Sequence, residues 1–136
     1  TDYVQRIQDR ILEEYRKLGF EQTTIEVFTY ESTESQRHVS FKIKEGPRVQ
    51  VKRVKFDGNV AFSEEDLLEQ FERGSSSVLS RNYYVAKDVE AAANLVAEWM
   101  RSKGYLTSRI ISVNKEYVRG MEQVQLTVYL YEGEQT

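Results

Sequence analysis

Few residues of this chain have side chains that could do covalent or metal chemistry. The sequence contains one histidine, His38, and no cysteine, so disulfides, thiolate catalysis and cysteine-ligated metals are excluded. His38 stands at the start of a predicted strand without a paired nucleophile, which favours an ordinary surface residue. We therefore predict no catalytic residue, no metal site and no cofactor, and we interpret the chain as a non-enzyme.

Carboxylates are concentrated in one segment, residues 57–73. Their positions at 64, 65, 66, 69 and 72 do not match the alternating ligands of a calcium loop. Ser63 and Asp66 have capping-box spacing, and negative charge in a first helical turn complements the helix dipole. The carboxylates are thus predicted to be helix surface, and Gly74–Ser77, which matches no phosphate-binding motif, is predicted to be a flexible loop.

A group of cations precedes these carboxylates on one predicted strand. It consists of Arg48, Lys52, Arg53 and Lys55. A nucleic-acid binder normally carries a basic surplus, whereas the net charge here is -3. A solvated strand face is the favoured interpretation, and nucleic-acid binding by these four residues stays open as an alternative.

Composition indicates a folded protein. In 136 residues, 40% hydrophobic and 30% charged side chains leave enough apolar material for a core. No stretch approaches the roughly 20 consecutive apolar residues of a membrane-spanning helix, and the start does not resemble a signal peptide. We expect any targeting segment to lie outside this chain.

A helix followed by two strands is predicted in the first third of the chain. Apolar residues at helical spacing mark the helix over Tyr3–Leu18, and Gly19 follows where a helix ends. Alternating apolar residues then predict strands over Thr24–Tyr30 and His38–Ile43, joined by the polar run 31–36.

The same order of elements returns in the second half. A helix is predicted over Asn82–Lys103, stopped by Gly104, with strands over Ser108–Lys115 and Gln123–Tyr131. A Glu-Gly pair follows the last strand in each copy, at residues 45–46 and 132–133. The matched glycines and Glu-Gly pairs indicate an internal repeat.

The segment between the copies completes the second unit. A strand over Val49–Phe56 changes its apolar parity between Val51 and Val54, which predicts either a β-bulge or a change from packing at a domain junction to packing in a core. A short helix carrying Leu67 and Phe71 follows. A complete unit is therefore strand, helix, helix, strand, strand, and the chain holds one such unit preceded by the last three elements of another.

Several motifs in this order resemble a known family. They are Glu45–Val49, Val54–Asn59, Phe62–Ser63, Leu67–Leu68 and Gly104–Tyr105. Together they are similar to the boundary between consecutive polypeptide-transport-associated (POTRA) domains, above all in the BamA/TamA outer-membrane protein assembly family. The resemblance implies an α+β fold of tandem β-α-α-β-β units, each a three-stranded mixed sheet with two helices on one face and the last strand central. It assigns residues 1–47 to an incomplete first domain and 48–136 to a complete second one.

The resemblance also implies a function. It predicts a periplasmic segment of an outer-membrane protein of a Gram-negative bacterium, which binds unfolded outer-membrane β-barrel precursors by edge-strand β-augmentation. The other partners it implies are accessory assembly lipoproteins, neighbouring POTRA domains and a C-terminal β-barrel in the full-length protein. It implies neither nucleic acid nor a small-molecule substrate. A structural interaction module of a cell-division or secretion complex is the alternative.

Three groups of residues are candidate sites. The predicted peptide-binding edge strand comprises Thr107, Ser108, Arg109, Ile110, Ile111, Ser112, Val113, Asn114 and Lys115. The predicted interdomain junction comprises Glu45, Gly46, Pro47, Arg48 and Val49, and a candidate partner surface comprises Trp99 and Leu95.

Two of these groups have a plainer interpretation too. In the edge strand, Ser108 and Ile110 are expected to face the helices, and Arg109, Ile111 and Val113 the open side of the sheet. Ile111 and Val113 are equally explained as scattered surface hydrophobes or as contacts to a neighbouring domain, and Arg109 and Lys115 as charged guards against aggregation. Trp99 is equally explained as the edge of the core.

Overall fold

The computed structural model describes residues 2–31, 36–120 and 122–136. Most of the predicted polar run 31–36 thus lies outside the described residues. The elements in chain order are α1 (Asp2–Lys17), β1 (Thr24–Glu31), β2 (Arg37–Lys44), β3 (Gln50–Asp57), α2 (Glu64–Arg73), α3 (Ser77–Ser80), α4 (Ala86–Ser102), β4 (Arg109–Arg119) and β5 (Gln123–Tyr131).

The second half of the chain forms a three-stranded mixed sheet in the order β3-β5-β4. β5 is central, parallel to β3 and antiparallel to β4. The parallel pairing is possible because the helices between β3 and β4 give the chain length to cross over. The α+β fold with a central last strand is confirmed.

The core lies between this sheet and α2 and α4. Alternate residues of β5 are buried, and α2 and α4 contribute their apolar stripes. The buried set includes Val124, Leu126, Val128 and Leu130 from β5, Leu67 and Phe71 from α2, and Val89, Ala92 and Val96 from α4. Each fully buried aliphatic or aromatic side chain stabilises the fold by about 1.5–3 kcal/mol, so this layer holds the unit together.

The predicted helix over Asn82–Lys103 begins four residues too early. Asn82 lies in a turn with a φ of 71°, and residues 83–85 run beside the start of β3. The Val51 N–H donates to the Asn82 carbonyl (2.7 Å) and the Tyr84 N–H to the Val49 carbonyl (2.8 Å). Tyr84 is buried in this position. Packing against the start of β3 therefore overrides the helical pattern, and α4 begins only at Ala86.

The predicted loop Gly74–Ser77 is wrong at its end. Ser77 begins the four-residue α3, and the Ser76 hydroxyl caps this helix by accepting the Leu79 N–H (3.1 Å). The same hydroxyl donates to a carboxylate oxygen of Asp88 in the first turn of α4 (2.5 Å). The serine-rich segment is thus a capped turn that joins α2 to α4.

The bulge predicted in β3 is confirmed. Val51 pairs with Val124 and Arg53 with Gln125, so Lys52 is the extra residue. Side chains three residues apart normally point to opposite faces of a strand. The extra residue brings both Val51 and Val54 to the face that packs on the core.

The first half of the chain has no comparable core. Among the described residues, β1 and β2 form a two-stranded antiparallel sheet, and no residue of α1 is buried. The apolar stripe of α1 is only half-buried, at Val4, Ile7, Ile11 and Tyr15.

The internal repeat is visible in matched backbone geometry. Gly19 and Gly104 have φ angles of 96° and 98°, which favour glycine. The Val49 N–H donates to the Gly19 carbonyl at 3.0 Å, and the Thr136 N–H donates to the Gly104 carbonyl at 3.0 Å. The chain thus leaves both units along the same path.

Side-chain hydrogen bonds also match between the two copies. The Thr23 hydroxyl donates to the Glu45 carbonyl (2.9 Å), as the Ser108 hydroxyl does to the Glu132 carbonyl (2.7 Å). Arg48 Nε donates to the Leu18 carbonyl (2.6 Å), and Gln135 Nε2 donates to the Lys103 carbonyl (3.2 Å). These pairs occupy equivalent positions in the two copies.

Candidate functional site

β4 is an edge strand. Within the described part of the chain it pairs with β5 alone. Because alternate backbone groups of a strand point to opposite sides, about half of its N–H and C=O groups face away from β5. Such an edge can accept a further strand.

Two irregularities bound the usable part of β4. Its register with β5 shifts between Ile110 and Ser112 and again between Tyr117 and Arg119. The run Ser112–Tyr117 between them is regular. The predicted strand Ser108–Lys115 was therefore placed too early, because β4 begins at Arg109 and continues to Arg119.

The first bulge also reverses the predicted facing of Val113. Ile111 is the extra residue and is 62% exposed, whereas Val113 packs against the core together with Ile110 and Tyr117. The expectation that Val113 projects from the open face is thus wrong, while the expectation that Ile110 faces the helices is confirmed. Because Ile110 and Ile111 are both apolar, the alternation of apolar and polar residues does not reveal that Ile111 is the extra residue.

A groove runs between β4 and α4 beside this edge. Its volume is about 350 Å³. Four apolar residues, Val89, Ile110, Val113 and Leu126, form its floor, and its rim includes Tyr84, Glu90, Asn94 and Lys115. The groove can take alternate side chains of a strand that adds to β4.

Lys115 closes one end of the groove. Its ammonium lies 4.9 Å from the ring centre of Tyr84 and 5.3 Å from that of Tyr117. Nζ is also 3.7 Å from the Glu21 carboxylate, which comes from the first half of the chain. A residue of the candidate edge thus contacts both the groove and the preceding unit.

The electrostatics keep this end positive. Burial works to lower the pKa of Lys115, but interactions with Tyr84, Tyr117 and Glu21 outweigh it and raise the pKa. The pKa of Tyr84 is raised as well, chiefly because burial disfavours its charged form. Lys115 is therefore a cation and Tyr84 neutral at physiological pH.

Two predicted edge residues lie outside β4. Thr107 belongs to the turn before the strand, with its hydroxyl beside Gly133. Ser108 is buried, and its carbonyl accepts a hydrogen bond from Arg101 Nε (3.0 Å). Neither residue belongs to the β4 ladder, which begins at Arg109.

The predicted junction residues form a tightly bonded crossing between the two halves. Val49 is fully buried. The guanidinium of Arg48 lies 3.7 Å above the ring centre of Tyr83 and 5.6 Å from that of Phe20. Gly46 has a φ of 71°, and its position faces the Gln22 carbonyl. The junction is therefore held by stacking and backbone hydrogen bonds, in addition to the restriction from Pro47.

Trp99 and Leu95 occupy different surroundings. Trp99 packs against the core, with its ring 5.0 Å from that of Phe62 and Lys103 above it at 5.8 Å. Leu95 is 44% exposed and lies over Gly74. The two residues are one helical turn apart on α4, with Trp99 at the edge of the core and Leu95 exposed.

Three of the four basic residues are divided between two places. Arg48 is taken up by the junction, and Lys52 is the bulged residue of β3. Lys52 and Arg53 line a groove whose other wall carries carboxylates of α2, at residues 64, 65 and 72. These carboxylates oppose the approach of a polyanion.

One structural feature was missed from the sequence. The Glu132 carboxylate is buried and accepts backbone N–H groups from Val60, Ala61 and Phe62 at 2.8–3.2 Å. A signal was present, since Glu precedes Gly in both copies although ending a strand requires no Glu.

Other chemistry finds no support among the described residues. His38 stacks on Tyr30, with ring centres 4.9 Å apart. In the ranges that the structure covers, no three His, Asp or Glu side chains converge as metal ligands, and no helix is long and apolar enough to cross a membrane.

The chain is similar to proteins of outer membranes. The POTRA family model, described as "Surface antigen variable number repeat", matches residues 49–133. A Treponema pallidum (strain Nichols) protein named "Putative outer membrane protein assembly factor" is 30% identical over 101 residues, which are 71% of this chain. The chain spans 12% of that relative's length.

Solved structures show the same fold at low identity. BamA from Haemophilus ducreyi lacking POTRA domains 1–3 aligns with 96% of this chain and 23% of its own, with a TM-score of 0.61 and 15% identity. Haemophilus influenzae BamA POTRA3–5 aligns with 97% and 51%, with a TM-score of 0.58 and 13% identity. The N-terminal domain of Omp85 from Thermosynechococcus elongatus covers 89% and 47%, with a TM-score of 0.50 and 15% identity.

Proposed function

The chain belongs to the POTRA family, and from this premise we propose that it is a periplasmic, non-enzymatic segment of an outer-membrane protein assembly factor. In this role it binds unfolded outer-membrane precursors, which add a strand to the edge of β4. The names of its relatives support the assembly role, and the unpaired β4 edge beside an apolar groove supports the binding mode.

The domain organisation is part of this proposal. Residues 1–47 are the C-terminal part of one POTRA domain and residues 48–136 a complete second one. Neighbouring POTRA domains, accessory assembly lipoproteins and a β-barrel in the same protein are the further partners. The matched geometry at Gly19 and Gly104 supports a tandem arrangement.

The expected affinity is low. The run Ser112–Tyr117 turns the backbone groups of about three residues outward. Each hydrogen bond contributes roughly 0.5–1.5 kcal/mol net, and ordering an extended peptide offsets much of the sum. Weak, reversible binding suits a surface over which a client passes.

Backbone N-methylation of a strand peptide tests whether the peptide binds by adding a strand to β4, and it leaves the protein unaltered. A seven-residue peptide of alternating Val and Thr is titrated into the chain while amide chemical shifts are followed. Shifts should move in Ser112–Tyr117 and not in residues 53–57 of β3, the opposite edge.

Two methylated series give a sharper result. Methyl groups at every second residue remove the donors on one side of the peptide. One series should lose binding and the series of opposite parity should keep it, since alternate amides of a strand point opposite ways. Equal loss in both series would contradict strand addition. No binding by any peptide would leave the structural interaction module as the function.

A further inference from the structure

Lys115 contacts the groove and the preceding unit at once. On β4 it lies between Val113 and Tyr117, on the face of the strand that packs towards the helices. Its side chain is 28% exposed, and the carboxylate that pairs with it, Glu21, is 22% exposed. Both charges are therefore partly shielded, which strengthens their interaction relative to that of a fully exposed pair.

The groove is lined by one cationic and one anionic side chain. Among its lining residues Lys115 is the cation and Glu90 the anion. Glu21 does not line this groove and lies instead in a cleft lined by α1 and the start of α4. A strand added to β4 would pass Lys115 on the groove side.

We propose that Lys115 selects strands that carry a carboxylate at the position facing it, and that this carboxylate replaces Glu21 as the partner of the ammonium. The inference rests on the proposed strand addition to β4. It adds a chemical preference, because the floor of the groove is apolar and indifferent to sequence while its Lys115 end is cationic.

Exchange of the partner also links the two halves of the chain. Glu21 lies beside the turn that leads from α1 to β1, and its pairing with Lys115 contributes to the contact between the halves. A bound carboxylate that takes Lys115 removes this contribution. By thermodynamic reciprocity, whatever strengthens the Glu21–Lys115 pair weakens binding of an acidic strand by the same factor.

Peptide pairs test the preference. C-terminally amidated Val/Thr heptapeptides carry one Glu, or one Gln in its place, and this residue is moved along the sequence. At one position the Glu peptide should bind about fivefold more tightly, which corresponds to about 1 kcal/mol for a partly shielded ion pair. A further heptapeptide with a free C-terminal acid shows whether a terminal carboxylate serves as well as a side chain.

Three variants, one of them a control, test whether the preference comes from Lys115. Lys115→Gln should abolish the Glu/Gln difference while the Gln peptide still binds, and Arg119→Gln, with the same charge change on the same strand, should keep the difference. Glu21→Gln should tighten the Glu peptide several-fold and leave the Gln peptide unchanged, because the competing carboxylate is gone.

The outcomes separate this inference from the proposed function. Equal binding of Glu and Gln peptides at every position, with shifts still in Ser112–Tyr117, would overturn selection by Lys115 but not strand addition. A Glu preference that survives Lys115→Gln, or unchanged binding in Glu21→Gln, would overturn it too. No binding by either peptide would refute both.

Discussion

Replacing Arg48 by Gln is expected to loosen the junction while the core around β5 stays intact. Arg48 makes two separable contacts: Nε donates to the Leu18 carbonyl, and the guanidinium stacks on Tyr83. At the equivalent position of the second unit, Gln135 makes the same carbonyl contact to Lys103. Arg48→Gln should therefore keep the hydrogen bond and lose the stack, whereas Arg48→Ala loses both.

The expected loss of junction stability follows from these two contacts. A guanidinium 3.7 Å above an aromatic ring centre is worth about 0.5–1 kcal/mol at an exposed site and about 2 kcal/mol when desolvated. Arg48 is half-buried, so we expect Arg48→Gln to cost about 1 kcal/mol of junction stability. Arg48→Ala should cost about 0.5–1.5 kcal/mol more, for the lost hydrogen bond.

Amide hydrogen exchange measures the opening of the junction directly. The Val49 N–H donates across it to the Gly19 carbonyl. Its protection should fall about fivefold in Arg48→Gln and about two- to thirteenfold further in Arg48→Ala, while protection at Leu126 in the core stays constant. Unchanged exchange at Val49 would refute the stabilisation of the junction by Arg48. An equal fall in protection at Leu126 would show general destabilisation instead.

Two further predictions concern the fold. Glu132→Gln should cost about 1–3 kcal/mol of unfolding free energy in urea, because a buried carboxylate loses charge-assisted bonds to three backbone N–H groups. Exposed Glu134→Gln is its control, and equal midpoints would contradict the role. Gly58→Ala should cost about 3 kcal/mol or more, since the new Cβ would meet a carbonyl oxygen at 2.1 Å at a φ of 106°. Gly120→Ala, with open space around it, should cost only about 1 kcal/mol, and equal losses in the two glycine variants would refute the steric argument.

Patterns with a local cause could be predicted from the sequence. The stop glycines Gly19 and Gly104 both adopt a positive φ, as the end of a helix requires. The parity change between Val51 and Val54 located the bulge in β3, because both residues must reach the same core. Apolar alternation in β5 likewise predicted its buried face.

Features that depend on distant partners could not be predicted. Ile110 and Ile111 are both apolar, so the bulge that turns Val113 inward leaves no mark in the sequence. The start of α4 was misplaced because Tyr84 is held by Val49, which lies far away in the chain. The pairing of Lys115 with Glu21 depends in the same way on how the two halves meet.

The repeated contacts separate what each unit encodes from what its neighbour adds. At both exits the chain makes the same backbone bond to a helix-stopping glycine and the same side-chain bond to the carbonyl one residue before it. The direction of exit is therefore a local property of each unit. Stacking of Arg48 on Tyr83 and pairing of Glu21 with Lys115 instead join residues of the two halves of the chain. Since Lys115 also lines the groove beside β4, the contact between the halves and the proposed binding edge share one side chain, and a change in either is expected to alter the other.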